Sequence, residues 1–112
     1  MQKIDALHIL GEVYSVCTAI LPYTIHDAYL YGSYARGDYD EDSDVDILLT
    51  VDTDVGQIAQ YRRSISRAMS QLSLKHDVTI SVTVKSLRLF RQYADDLPFY
   101  RTVRKEGIRY VA

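Results

Sequence analysis

The sequence predicts an α/β domain, a small sheet flanked by helices, on three observations. Ile4, Leu7, Leu10, Val13, Cys17, Ile20 and Leu21 recur at the spacing of one helix face. The runs at 45–51 and 78–84 are rich in strand-forming residues, and the second alternates apolar with polar side chains. Between them Ile58, Tyr61, Ile65, Ala68, Met69 and Leu72 return to helical spacing. At 112 residues the chain is read as one domain, 1–112.

In order, residues 3–20 form the first amphipathic helix, with Pro22 just beyond its end. A short strand over 28–31 runs into Gly32. Ser33 caps a helical turn of Tyr34, Ala35 and Arg36, stopped by Gly37. A strand over 45–51 follows, and Thr53 or Asp54 starts a helix over 55–73, with Arg62 interrupting its inner face. Val78, Ile80, Val82 and Val84 face one way in the next strand, which puts Asp77 in step with Thr79, Ser81 and Thr83 on the polar face. Ser86 caps a helix at 87–93, Pro98 opens one at 98–105, and 108–111 pair as a last strand.

Chemistry concentrates between Gly32 and Leu49. A strand feeding a Gly-Ser turn aims backbone N–H groups at one point, a geometry suited to phosphate. In the strand at 45–51, side chains two apart share a face, so Asp44 and Asp46 project together. Two adjacent carboxylates repel unless a cation lies between them. Mg²⁺ suits the place, because it takes oxygen ligands and shares them with substrate phosphates. A P-loop is excluded, since Asp38 stands where that motif needs lysine. A calcium-binding helix-loop-helix is excluded too: started at Asp38 it would need Gly and Glu where Ser43 and Leu49 stand.

Net charge is −2 but unevenly placed. Asp38 to Asp54 holds eight acids and no base, a segment that draws divalent cations. Lys85 to Arg109 holds seven bases against three acids, either the solvated side of helices or a face for an anionic partner. A slightly acidic chain is a poor stand-alone nucleic-acid binder. No apolar run reaches the ~20 residues of a membrane span, and the start is not that of a signal peptide, so the expected location is cytoplasmic. Cys17 is the single cysteine and is read as a packed hydrophobe. His8 and His26 lack metal-ligand spacing. Tyr31, Tyr34 and Tyr39 flank the motif, where they either stack on a base or pack.

Gly32-Ser33, ten residues, then Asp44-Val45-Asp46 resembles the signature of the DNA polymerase β-type nucleotidyltransferase superfamily. The wording Gly32-Ser33-Tyr34-Ala35-Arg36-Gly37 and the ending Arg104-Lys105-Glu106-Gly107-Ile108-Arg109-Tyr110 resemble its minimal nucleotidyltransferases (MNT), the MntA-like antitoxins of MNT/HEPN modules. The resemblance implies a nucleotidyltransferase fold with a small mixed sheet. It implies that Asp44 and Asp46 hold Mg²⁺, that Gly32 and Ser33 bind the triphosphate of ATP, and that a third carboxylate stands on a neighbouring strand. Asp77 is the one acid near that strand, and there it would help activate the acceptor hydroxyl or hold a second metal ion. Arg36 either neutralises developing charge or pairs with nearby acids. The resemblance also implies an acceptor: a tyrosine of a partner HEPN toxin, which would receive AMP. Two alternatives stay open, an antitoxin acting by contact alone and a small-molecule adenylyltransferase. Homo-oligomerisation is left open as well.

Overall fold

Val45–Val51 is buried along nearly its whole length, as a strand between two layers must be, and it forms the centre of the molecule. The computed structural model describes residues 2–110. Its elements are α1 (Lys3–Ile20), β1 (Ile25–Tyr31), α2 (Ser33–Arg36), β2 (Val45–Val51), α3 (Val55–Ala59), α4 (Arg62–His76), β3 (Ile80–Ser86), α5 (Leu87–Tyr93), α6 (Pro98–Glu106) and β4 (Ile108–Arg109). The sheet runs β3-β2-β1-β4. β1 pairs antiparallel with β2 and β4, while β3 pairs parallel with β2. A parallel neighbour requires a crossover, and α3 with α4 supplies it. The sheet is mixed and flanked by helices, as the resemblance implies.

Alternation divides the sheet into two faces. Val45, Ile47, Leu49 and Val51 join Leu30, Ile80 and the inner residues of α1 and α4 in the main core. Leu48 points the other way, into a smaller cluster with Phe90 of α5 and Val103 of α6. These two helices cover the middle of that second face; Asp46 sits on it at the start of β2. Glu12 ties α1 to α4 through Lys75 (3.1 Å) and His76 (3.0 Å). The Lys75 contact is the main reason the Glu12 carboxyl lies below its ordinary value. Cys17 is fully buried, and burial pushes its thiol up to about 11, consistent with a packing role.

Several expectations change. Ile4 is exposed, and Ala6 and Ile9 take the inward positions of α1. β1 begins at Ile25 rather than 28, because Ile25 pairs with Val51 across the sheet. The helix expected over 55–73 is broken at Gln60–Tyr61. Tyr61 leaves helical geometry, its ring set edge-on to Tyr23, whose hydroxyl donates to Gln57. Residue 111 of the expected last strand lies outside the described residues.

At the far end of the second face Asp27 is buried, accepting from the Thr50 hydroxyl at 2.7 Å and pairing with Arg109 (2.8 Å) and His26 (3.1 Å). Burial pushes its carboxyl up, but the Thr50 and His26 hydrogen bonds, with the charge of Arg109 and that of His26 when protonated, together hold it below 3.8. A carboxyl lowered by folding stabilises the fold above its unfolded pKa and loses that contribution as pH falls through the folded value. Urea unfolding should therefore show constant stability above about pH 5 and a decline below pH 4. Asp27→Asn should flatten that decline and cost about 1–3 kcal/mol at neutral pH.

Candidate active site

The cross-strand register joins the two halves of the motif. Tyr31, the last residue of β1, lies opposite Asp46 of β2, so the turn that follows is held against the Asp46 side chain. Gly32 has φ +77° and ψ −155°, a conformation open to glycine alone at little cost. A Cβ added there would collide with Asp46 Oδ2 and lie 3.3 Å from its Cγ. Gly32, not Ser33, is the helix cap: its carbonyl accepts from Ala35 and Arg36, each at 3.1 Å, and Ser33 is the first helical residue. The reason is the positive φ, which a serine would resist. The amides of Ser33 and Tyr34 begin the turn and have no acceptor within it. Gly37 closes α2 in the left-handed region.

Asp44 is exposed just before β2, where the backbone is anchored by Val45 N–H to the Thr79 carbonyl at 2.9 Å. Asp40 shapes the approach. Its carboxylate accepts from the Asp42 amide and the Ser43 hydroxyl, so that acid is spent within the loop. Asp46 is half-buried, and burial pushes its carboxyl above 3.8. The Asp44 charge pushes it further the same way, and Arg36 opposes both. Arg36 thus acts on Asp46 while its Nε pairs with Asp38 at 3.3 Å and Nη1 lies 4.0 Å from Glu106 of α6. Of the two readings of this arginine, the pairing with nearby acids is the one present in the structure. A half-buried carboxylate beside a second one, with one shared arginine between them and nearby acids, is an under-neutralised site whose donors are hard oxygens. That suits Mg²⁺.

Asp77 does not join this site. It caps the end of α4 in the left-handed region (φ 52°), donating its N–H to Ser73, and β3 begins three residues later. The expectation that it lies on the polar face of a strand is corrected: Thr79 N-terminal to the ladder separates it from the paired residues. Beside Asp46 on β3 stands Ser81. Among the described residues no three His, Cys, Asp or Glu side chains are gathered to hold a metal. Only a register between 45–51 and 78–84 would have revealed Ser81, and no local pattern fixes one for a parallel pair.

The tyrosines are largely structural. Tyr34 is buried and stacks on Tyr39 with centroids 4.5 Å apart, and the Tyr39 hydroxyl donates to Gln2. Tyr31 meets Phe99 edge-on. Burial, and then the nearby Asp46 charge, raise its phenol above 10.0. A groove of about 1030 Å³ lies elsewhere, between α4 and β3, and touches neither Asp44 nor Asp46.

Residues 15–110 match the family described as the nucleotidyltransferase domain. A protein of Methanocaldococcus jannaschii, provisionally named a protein adenylyltransferase, is 32% identical over 96 residues, covering 86% of this chain and 95% of that relative. The fold is shared with a provisionally assigned nucleotidyltransferase from Sulfolobus solfataricus (TM-score 0.60, 21% identity, 96% of this chain and 81% of that one). It is also shared with a chain of a toxin–antitoxin crystallised with AMP-PNP (TM-score 0.55, 19% identity, 88% of this chain and 69% of that one). No helix among the described residues is long and apolar enough to cross a membrane.

A carboxyl raised by folding weakens the fold once it ionises. In metal-free buffer at neutral pH, Asp46→Asn should therefore raise the melting temperature by roughly 2–6 °C. Asp44→Asn should lower the pKa of Asp46, followed by carboxyl NMR. A lower melting temperature together with an unmoved Asp46 titration would contradict this electrostatic picture.

Proposed function

Because this chain belongs to the nucleotidyltransferase domain family, we propose that it transfers AMP from ATP to a hydroxyl of a protein partner, a tyrosine of a HEPN toxin. The observation that supports the reading is the close approach of the Asp46 carboxylate to Gly32, which sets the Gly-Ser turn beside that acid. The acceptor class is supported by the relative named as a protein adenylyltransferase. The partner class is supported by the fold shared with a toxin–antitoxin chain.

Asp44 and Asp46 would hold one Mg²⁺, which supplies charge neutralisation to the triphosphate when bound. Gly32 lets the backbone approach the β- and γ-phosphates, and the Ser33 amide and hydroxyl donate to them. The acceptor oxygen forms a bond to the α-phosphorus, the bond to the β-phosphate oxygen breaks, and pyrophosphate leaves. Arg36 offsets charge that builds on the phosphates. The acceptor proton passes to solvent, because the neighbour of Asp46 on β3 is the Ser81 hydroxyl rather than a carboxylate. Asp77, as the cap of α4, is left outside the reacting set, and so is a second ion.

The test is label transfer from α-labelled ATP to a co-encoded HEPN protein. Wild type should label it, and Asp46→Asn should lose at least about 10²–10³-fold in rate. Asp77→Asn should keep most of the activity. No transfer by wild type, with the two proteins bound to one another, would overturn the reading. Full neutralisation of the toxin by an Asp44→Asn, Asp46→Asn double variant would show that contact suffices.

A further inference from the structure

An in-line displacement at the α-phosphorus brings the acceptor oxygen in opposite the departing pyrophosphate. The Gly32-Ser33 turn follows β1, Asp46 stands on the central strand β2, and β3 lies on the far side of β2. With the pyrophosphate on the turn, the acceptor therefore arrives over β3. The β3 residue beside Asp46 is Ser81, and it is exposed. The charged groups nearest are Asp44 and Asp46, which the reading above gives to the ion, and the Arg36 cation. Lys85 lies four residues farther along the same face of β3. Other candidate bases are engaged elsewhere: Asp77 in the α4 cap, His26 on Asp27, His76 on Glu12. The same approach is walled by aromatic rings. The Tyr31 hydroxyl is hydrogen-bonded with that of Thr83, so its ring reaches from β1 across β2 towards β3. Phe99 meets that ring edge-on with centroids 5.4 Å apart, and is itself 43% exposed.

We propose that Ser81 sets the acceptor class: with a hydroxyl where a base would stand, the site accepts aryl hydroxyls and rejects aliphatic ones. The proposal rests on the transfer reading above and names what that chemistry can use. A phenol ionises near pH 10, so at pH 7 roughly one molecule in a thousand is already phenolate. An alcohol lies near water, about 15.7, and its ionised fraction is smaller by roughly 10⁵–10⁶-fold. The stronger nucleophilicity of an alkoxide recovers about half of that gap on a logarithmic scale, taking the slope known for thiolates. What remains is about the 10²–10⁴-fold that a positioned general base supplies. A site with a base can therefore use an alcohol, and a site without one needs an acceptor that loses its proton to water unaided. The phenolate oxygen then bonds to the α-phosphorus as the bond to the β-phosphate oxygen breaks. The exposed face of Phe99, with Tyr31 behind it, gives the incoming ring an apolar flank that a serine side chain could not use.

The test is single-turnover transfer from α-labelled ATP to the co-encoded HEPN protein by the full chain, with the labelled residue mapped by mass spectrometry. The label should sit on a tyrosine. Exchanging that partner tyrosine for serine should slow transfer at least about 10²-fold while the two proteins still bind. Exchanging it for a fluorotyrosine, whose phenol ionises more readily, should speed transfer several-fold at pH 7. Neither measurement needs a variant of this chain. Ser81→Asp should narrow the tyrosine-to-serine rate ratio by about tenfold or more, whereas Ser81→Asn, of the same size but with no base, should leave the ratio wide. Circular dichroism checks that both variants are folded. Label on a serine or threonine would overturn the proposal, as would a serine partner labelled as fast as the tyrosine one, or a fluorotyrosine partner labelled no faster. An equal narrowing by Ser81→Asn would assign the selectivity to space rather than to a missing base, and a folded Ser81→Asp with an unchanged ratio would contradict it too. Transfer to alcohols sinks this inference alone; no transfer by wild type to any hydroxyl sinks the transfer reading and this inference with it.

Discussion

The contact of Gly32 with the Asp46 carboxylate is the constraint on which the site depends. Neither half of the motif has a definite chemistry alone: a Gly-Ser turn is a common strand exit, and an Asp-x-Asp pair often does no more than solvate a strand. The antiparallel register of β1 on β2 sets Tyr31 opposite Asp46 and so delivers the turn to the acid. Glycine is required there twice over, once for its positive φ and once because the carboxylate occupies the place of a Cβ. The buried β1–β2 pair is in this sense the scaffold of the chemistry, and the helices around it serve to keep that register.

The same arrangement loads charge where the fold would do better without it. Asp46 is half-buried beside Asp44, and Arg36 divides its charge among Asp46, Asp38 and Glu106. The opposite end of the same sheet face makes the contrast. Asp27 is more deeply buried than Asp46, yet Thr50, His26 and Arg109 satisfy it completely. The buried acid is locked into the structure by its partners, and the half-buried one has only a share of Arg36. That difference, rather than acidity as such, separates a structural carboxylate from one poised for a ligand.

What could be read from the sequence was what lies close along the chain. Gly32, Ser33, Asp44 and Asp46 fall within fifteen residues, and the strand at 45–51 was legible from its composition with its bounds intact. Features set by distant partners were not. β1 starts early because of Val51, the long helix breaks where Tyr61 meets Tyr23, and the strand after α4 starts late because Ser73 holds Val78 and Ile80 in the cap. The last of these misled the reading of Asp77: parity along a strand puts it on the polar face only if the strand has begun. Ser81, the neighbour that Asp46 has instead, is visible only in the β2–β3 register.

The claim that turn and acids form a single site is tested most directly by a double-mutant cycle on Mg·ATP affinity, measured by calorimetry on wild type, Gly32→Ala, Asp46→Asn and the combined variant. If the site is one unit, each single change should abolish most of the affinity, and the second should add less than about tenfold to the first. Losses that simply add, or a combined variant that binds Mg·ATP as tightly as wild type, would contradict the account.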